Sequence, residues 1–139
     1  PLPYLQVPGD RTWHIGLEVA LQTAAMRSRG DAPFVVSRVD FADAMYWSPA
    51  QLVTHHGSNG CNLLAGDLLG SGTISGPAPE SRGCLLERTW RGAEPLSLPD
   101  GTPRKVLEDA DEVLITGRCE SPGAVSIGFG SCRGVVAPA

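Results

Sequence analysis

Trp13–Gln22, WHIGLEVALQ, is the stretch on which the fold class turns. Trp13, Ile15, Leu17, Val19 and Leu21 fall on one side of an extended chain, with His14, Glu18 and Gln22 on the other. A period of two marks a strand with one buried face; a helix would repeat its apolar residues every three or four positions. Phe34–Val39, FVVSRV, reads as the returning strand, and the polar Arg27–Pro33, RSRGDAP, as the hairpin tip between them.

Outward from this pair, short apolar stretches recur at Asp67–Ser75, Gly83–Trp90, Pro95–Leu98, Glu112–Cys119 and Ala124–Cys132, each expected to be a strand. Turn-forming runs separate them, and Pro99–Gly101, Pro-Asp-Gly, is the strongest. Seventeen glycines and 12 prolines punctuate the chain too often for a helical bundle. One helix is expected, over Ser48–His56, SPAQLVTHH: Ser48 can cap it, Pro49 suits its first turn and Gly57 can end it. Six to eight strands and one short helix near 48–56 make a mainly β fold, a sandwich or roll.

The 139 residues suffice for one domain with a single core. With 42% hydrophobic and 19% charged residues, the chain has the composition of a folded soluble protein. Its net charge of -4 speaks against a nucleic-acid binder, which carries a basic face. No apolar run approaches the roughly 20 residues of a membrane-spanning helix. The start, PLPYLQVPGD, lacks the pattern of a secretory signal and lacks Met, so the chain is expected to be processed or cut from something longer. Cys61, Cys84, Cys119 and Cys132 form no CxxC pair and have no histidine at zinc spacing. Two disulfides are arithmetically possible, but reduced thiols in a cytoplasmic protein are the expectation.

Four features bear on chemistry. In Gly70–Gly76, GSGTISG, three glycines weaken a strand, which marks either a bulge or the close approach of another backbone or a ligand. Thr73 would offer a hydroxyl there. The run is neither a phosphate loop nor a dinucleotide fingerprint, since the required lysine and helix do not follow. Glu87, in GCLLERTW, is either a solvated edge residue paired with Arg88 or Arg91, or an acid buried with a partner. His55 and His56 point about 100° apart on a helix and read as capping or packing residues rather than a metal pair. The acidic run Leu107–Glu112, LEDADE, lacks the glycine and distal glutamate of a calcium loop and reads as a solvated turn.

Residue chemistry alone ends at a β-rich soluble domain with one suggestive loop and one suggestive acid. PLPYL at Pro1–Leu5, MYWSPAQLVTHHGSNGCNLLAGDLLGSGTISGPAPES at Met45–Ser81, LLE at Leu85–Glu87, LEDADEVLITGRC at Leu107–Cys119 and IGFGSCRG at Ile127–Gly134 add more. In this order they closely resemble the fumarylacetoacetases of the fumarylacetoacetate hydrolase family, more than the wider superfamily. The resemblance covers the C-terminal third of such enzymes and implies that residues 1–139 are the C-terminal part of one catalytic β-roll.

The resemblance further implies hydrolysis of a carbon–carbon bond in a β-diketo acid, giving fumarate and acetoacetate, the last step of tyrosine breakdown. It assigns Thr73 to substrate contact and Glu87 to the catalytic pair, as the acid that partners a histidine. That histidine, the ligands of a divalent cation (calcium or magnesium) and the substrate-clamping residues would all lie upstream of Pro1, leaving no metal ligand in this chain. A cytoplasmic homodimer acting on a small molecule is implied, with no nucleic acid or membrane as partner. Arg82 stands where the family has an aromatic residue, Cys84 where it has serine, and Ala24–Ala44 is longer than usual. Two other expectations stand beside this one: a superfamily decarboxylase or isomerase acting on another keto acid, and a β-roll fragment that is inactive alone.

Overall fold

The computed structural model describes residues 1–8 and 12–138. In chain order the elements are β1 (Gly16–Gln22), α1 (Ala24–Arg29), β2 (Phe34–Asp40), α2 (Phe41–Ala44), α3 (Pro49–Ser58), α4 (Leu85–Arg88), β3 (Leu96–Ser97), β4 (Pro103–Arg104), β5 (Glu112–Cys119) and β6 (Ile127–Val135). The fold is mainly β. Four strands form an antiparallel sheet in the order β2-β1-β5-β6, and β3 pairs with β4. The alternating stretch supplies β1, an inner strand flanked by β2 and β5.

The apolar side of β1 makes the core. Leu21 packs with Val36 and Leu98, and Val19, Phe34, Leu96 and Val113 close around them. The alternation is interrupted once. Pairing with β2 shifts between Val19 and Ala20, so Val36 is an extra residue on β2, and Ala20 is buried next to Leu21. The strand starts at Gly16 rather than Trp13, whose ring is 60% exposed.

Three expected extended or turn segments are otherwise. The hairpin tip contains a helix, α1, because the Thr23 hydroxyl accepts the Met26 N–H at 3.1 Å and buried Met26 anchors the turn. Gly30, at φ 75°, ends it. Asp67–Ser75 forms no strand, and Gly66 and Gly72, at φ of 99° and 78°, turn the chain before and within it. Gly83–Trp90 is not a strand either but contains the helical turn α4. The last expected strand is displaced to Ile127–Val135, because Gly123, at φ 77°, turns the chain before it. Pro95–Leu98 shrinks to β3, whereas Glu112–Cys119 is β5 as expected.

Four α-helical segments, not one, are present among the described residues. The expected helix is α3, where Ser48 and Gln51 form a reciprocal capping box and Pro49 opens the first turn. It runs one residue past Gly57. Gln51 donates to the Leu5 carbonyl at 2.8 Å and Tyr4 meets His55 Nδ1 at 3.1 Å, so α3 holds the N-terminal turn Pro3–Leu5. No helix among the described residues is long and apolar enough to cross a membrane. The four cysteines are free thiols.

The acidic run is not a solvated turn throughout. Asp111 is 1% exposed, accepts the Glu108 N–H at 2.9 Å and sits 3.3 Å from Arg104, itself buried. Glu112, also buried, has Arg133 Nε 2.8 Å from Oε1, without hydrogen-bond geometry, and Arg27 4.0 Å from Oε2. Arg27 also donates to the Gln22 and Ala110 carbonyls, tying the end of β1 to the start of β5.

Replacing Arg104 with Leu would strand Asp111, and losing one partner of a buried pair costs about 3–5 kcal/mol. Urea denaturation should report a loss on that scale. A second outcome concerns the turn at Pro99–Gly101, where Asp100 accepts from the Thr102 hydroxyl and N–H and meets Arg29 at 3.2 Å. These contacts, the Thr102 hydroxyl first, hold its carboxyl down at about 2. The unfolded carboxyl titrates near 3.9, so the contribution to stability is full above that value and is lost as pH falls toward about 2. Asp100→Asn should therefore melt below the parent at neutral pH, and the two melting curves should converge between about pH 4 and pH 2.

Candidate functional site

The glycine run and Glu87 meet across one close backbone contact. After Gly72 the chain passes Thr73, Ile74 and Ser75, turns through Pro79–Ser81 and returns at Gly83. Gly76 donates to the Ser81 carbonyl at 2.9 Å, closing the turn. A Cβ at Gly83 would fall 2.2 Å from the Ile74 carbonyl oxygen and 2.8 Å from Thr73 Cγ2. Only glycine permits this approach. The close backbone contact expected of the small-residue run is thus met, at least in part, by the chain itself.

Two residues later α4 begins, and its third residue is Glu87. Ser75 donates to Glu87 Oε2 at 2.5 Å, while the Ser75 hydroxyl oxygen accepts the Gly83 N–H at 3.0 Å. The Cys84 thiol, 3.5 Å away, also points to Oε2. Among the described residues no side chain hydrogen bonds Oε1. The carboxylate is exposed and pushed below the usual glutamate range, chiefly by the Ser75 hydroxyl. Partial burial opposes this, and the Cys84 thiol and the Arg82 charge add to it.

The segment after Glu87 is held firmly. Thr89 is fully buried; its hydroxyl lies 2.7 Å from the Leu85 carbonyl and 3.2 Å from that of Lys105, and it accepts the Gly92 N–H at 3.0 Å. Trp90 and Arg91 take φ of 48° and 58°, a left-handed conformation that costs non-glycine residues about 1–2 kcal/mol each. Arg91 and Glu94 donate to the Leu86 and Thr89 carbonyls, which stabilise the turn. The Arg82 guanidinium lies 4.8 Å above the Trp90 ring and reaches the Glu87 carbonyl at 3.4 Å.

Both residues singled out in the sequence therefore sit at one place. Thr73 is exposed, its methyl against Gly83 and its hydroxyl without a hydrogen-bond partner among the described residues. Glu87 is neither paired with Arg88 or Arg91 nor buried. Ser75, Gly83 and Cys84 complete the site. The sequence carried one usable signal for them: a serine two residues beyond Thr73 within the same small-residue run. An apolar cavity of about 410 Å³ adjoins the site along Gly83, Cys84 and Leu85 and reaches Leu21, Val36 and Val113 of the sheet.

Cation ligands do not gather here. The one cluster of the right type among the described residues is His14, Asp40 and Asp43, and it is empty. It shares no residue with the Glu87 site, and Asp40 is already occupied by His14 at 3.1 Å and by the Ala42 N–H at 2.8 Å.

The GTISG run and the acid of LLE, two of the motifs by which the sequence resembles fumarylacetoacetases, thus lie together at this site. The chain belongs to the fumarylacetoacetate hydrolase family: the profile described as Fumarylacetoacetate (FAA) hydrolase C-terminal matches residues 20–137. Over 139 residues it is 49% identical to the fumarylacetoacetase of Bos taurus and 48% identical to that of Homo sapiens; over 138 residues it is 46% identical to that of Arabidopsis thaliana. These alignments cover 100%, 100% and 99% of this chain but only 32%, 32% and 31% of the relatives. The chain thus spans about a third of the length of the curated relatives it matches.

Gly83→Ala should drive the Thr73–Ser75 backbone away from α4, and overpacking of this kind costs about 1–3 kcal/mol. Urea denaturation would measure the loss, and amide exchange at Ser75 and Gly83 should quicken with it.

Proposed function

We propose that this chain supplies one wall of the active site of a fumarylacetoacetase, the enzyme that splits a β-diketo acid into fumarate and acetoacetate at the end of tyrosine breakdown. The supporting observation is the exposed Glu87 carboxylate, fastened at Oε2 and with no side-chain hydrogen bond at Oε1 among the described residues, close to the exposed Thr73. An acid so held is suited to receive the N–H of an imidazole and fix its tautomer, as the acid of a Ser-His-Asp triad does. The imidazole takes a proton from water, and the hydroxide formed adds to the ketone carbonyl. The carbon–carbon bond then breaks, its electron pair leaving on the acetoacetate carbon, which takes up a proton. Thr73 donates to a substrate oxygen during these steps.

None of the chain's three histidines performs the imidazole's role among the described contacts: His14 is bonded to Asp40, His55 to Tyr4, and His56 has no contact with Glu87. The base therefore comes from the part of the full-length polypeptide outside these residues. The same holds for a calcium or magnesium ion: among the described residues the carboxylate at this site is Glu87, already engaged by two donors, and no group of cation ligands forms around it. The residues at this site do not fit a cation, and no step here depends on one. The full protein acts as a cytoplasmic homodimer on a small molecule, and the isolated 139 residues are inactive.

The test is cleavage of fumarylacetoacetate by the full-length protein, followed by loss of diketone absorbance with and without a chelator. Cleavage supports the assignment, and its loss to a chelator supports a cation held by the rest of the full-length polypeptide; no cleavage by folded, metal-supplied protein rejects it and favours a decarboxylase or isomerase of the same superfamily. Within an active enzyme, Glu87→Gln should lower turnover by about 100-fold, the scale of a lost acid–base contribution. Turnover within a few-fold of the parent would remove Glu87 from its role.

A further inference from the structure

The Ser75 hydroxyl has one proton, and its surroundings leave that proton a single destination. Its oxygen accepts the Gly83 N–H at 3.0 Å, and its hydrogen is directed to Glu87 Oε2 at 2.5 Å. Gly83 lies close against the same segment, where a Cβ would meet the Ile74 carbonyl and the Thr73 methyl. The acceptor side of the hydroxyl is thus occupied by a backbone donor, and the donor side is turned to the carboxylate. Cys84, the N-cap of α4, brings a weaker donor to the same oxygen at 3.5 Å. The charged group facing Glu87 is Arg82, which hydrogen bonds its carbonyl and lies over Trp90.

We propose that Ser75 is a positioning residue of the reaction: by holding Oε2, it turns Oε1 outward as the oxygen that receives the catalytic imidazole. This rests on the assignment of Glu87 as the acid that orients a histidine. Thr73 and Ser75 then divide one three-residue segment between them, the first facing substrate and the second facing the acid. Such a division explains why a short, glycine-flanked segment lies against α4: a one-residue slip would put Ile74 in the place of one of the two hydroxyls. The low carboxyl pKa of Glu87, caused first by Ser75, is the electrostatic counterpart of the same contact.

The experiment is a double-mutant cycle in the full-length enzyme with Ser75→Ala, Glu87→Gln and the pair, assayed with fumarylacetoacetate. Ser75→Ala should lower kcat about tenfold while KM stays within about twofold, the signature of a contact that matters in the transition state rather than in substrate binding. In the Glu87→Gln background the same change should cost less than about twofold, because the carboxylate that Ser75 orients toward the imidazole is gone. Ser75→Cys, nearly the same in shape but a weaker donor, should keep the parent's melting temperature and lose kcat several-fold; it decides the matter if Ser75→Ala does not fold. Parent-like kcat in whichever of these two variants folds would overturn the proposal, as would equal losses in both backgrounds, which a purely structural serine produces. If Glu87→Gln is itself fully active, the assignment of Glu87 fails first and takes this one with it. If Glu87→Gln is slow and Ser75→Ala is not, only the role of Ser75 is lost.

Discussion

Gly83 has no side chain because the Ile74 carbonyl occupies the place where one would begin. This contact sets the distance between two segments that the sequence keeps eight residues apart, Ser75 and Gly83, and everything at the site is measured from it. The Gly83 N–H points at the Ser75 hydroxyl, α4 starts two residues on, and Glu87 follows within its first turn. A larger residue at Gly83 would separate the threonine segment from the acid by roughly the width of a methyl group. That shift is large on the scale of a hydrogen bond, whose strength falls steeply beyond about 3.2 Å. The tolerance of the site is therefore set by one missing Cβ.

The sheet supplies the fixed frame against which this contact acts. β1 and β5 are its inner strands, and the buried acids Asp111 and Glu112 lie where β5 begins. Arginines from three directions approach them: Arg104 at the end of β4, Arg27 from α1 and Arg133 from β6. Such a cluster contributes less net stability than its charges suggest, because desolvation offsets most of the attraction. Its effect is on register. Any shift of β5 would leave a buried carboxylate without a cation, so alternative pairings are penalised more than the native one is rewarded. Thr89, buried between the Leu85 and Lys105 carbonyls, links α4 to the segment after β4 and so to this frame.

Legibility in the sequence followed the range of the forces involved. The alternation of Trp13–Gln22, the capping residues of α3 and the Pro-Asp-Gly turn are local signals, and each led to the element it specifies. Glu112–Cys119 was readable for the same reason. Gly83–Trp90 was not, because its apolar residues suit a strand equally well; the helical turn is closed by the Thr89 N–H on the Leu85 carbonyl, and the Thr89 hydroxyl ties it to the segment at Lys105. α1 was hidden because it ends in the polar run Arg27–Pro33, and its apolar anchor just before that run, Met26, becomes informative only once it is buried. Thr73 and Glu87 stood out by residue chemistry, a glycine run and an acid among leucines, and the roles expected of them came from the family resemblance. The surroundings that join them, Ser75 and Gly83, come from a contact between two loops, which no local pattern encodes.

The exposure of Glu87 is itself informative about how such a site works. A carboxylate that is to orient an imidazole must be desolvated when the imidazole is present, yet here it lies open, and the large apolar residues near it, Leu86 and Trp90, are each 58% exposed. An apolar rim around a held acid is stable only when another surface covers it, since exposed apolar area of this kind is unfavourable in water. All nine residues of β6 are exposed too, with Ile127 and Phe129 among them, at an edge whose backbone has a neighbour on one side only. A polypeptide that buried this rim would lower the dielectric around Glu87 at the moment it delivered the base. The hydrogen bonds of Ser75 and Cys84 to Oε2 would then strengthen, because water no longer competes for the oxygen. Under the role proposed for Glu87, assembly of the whole active site and activation of its acid would be one event.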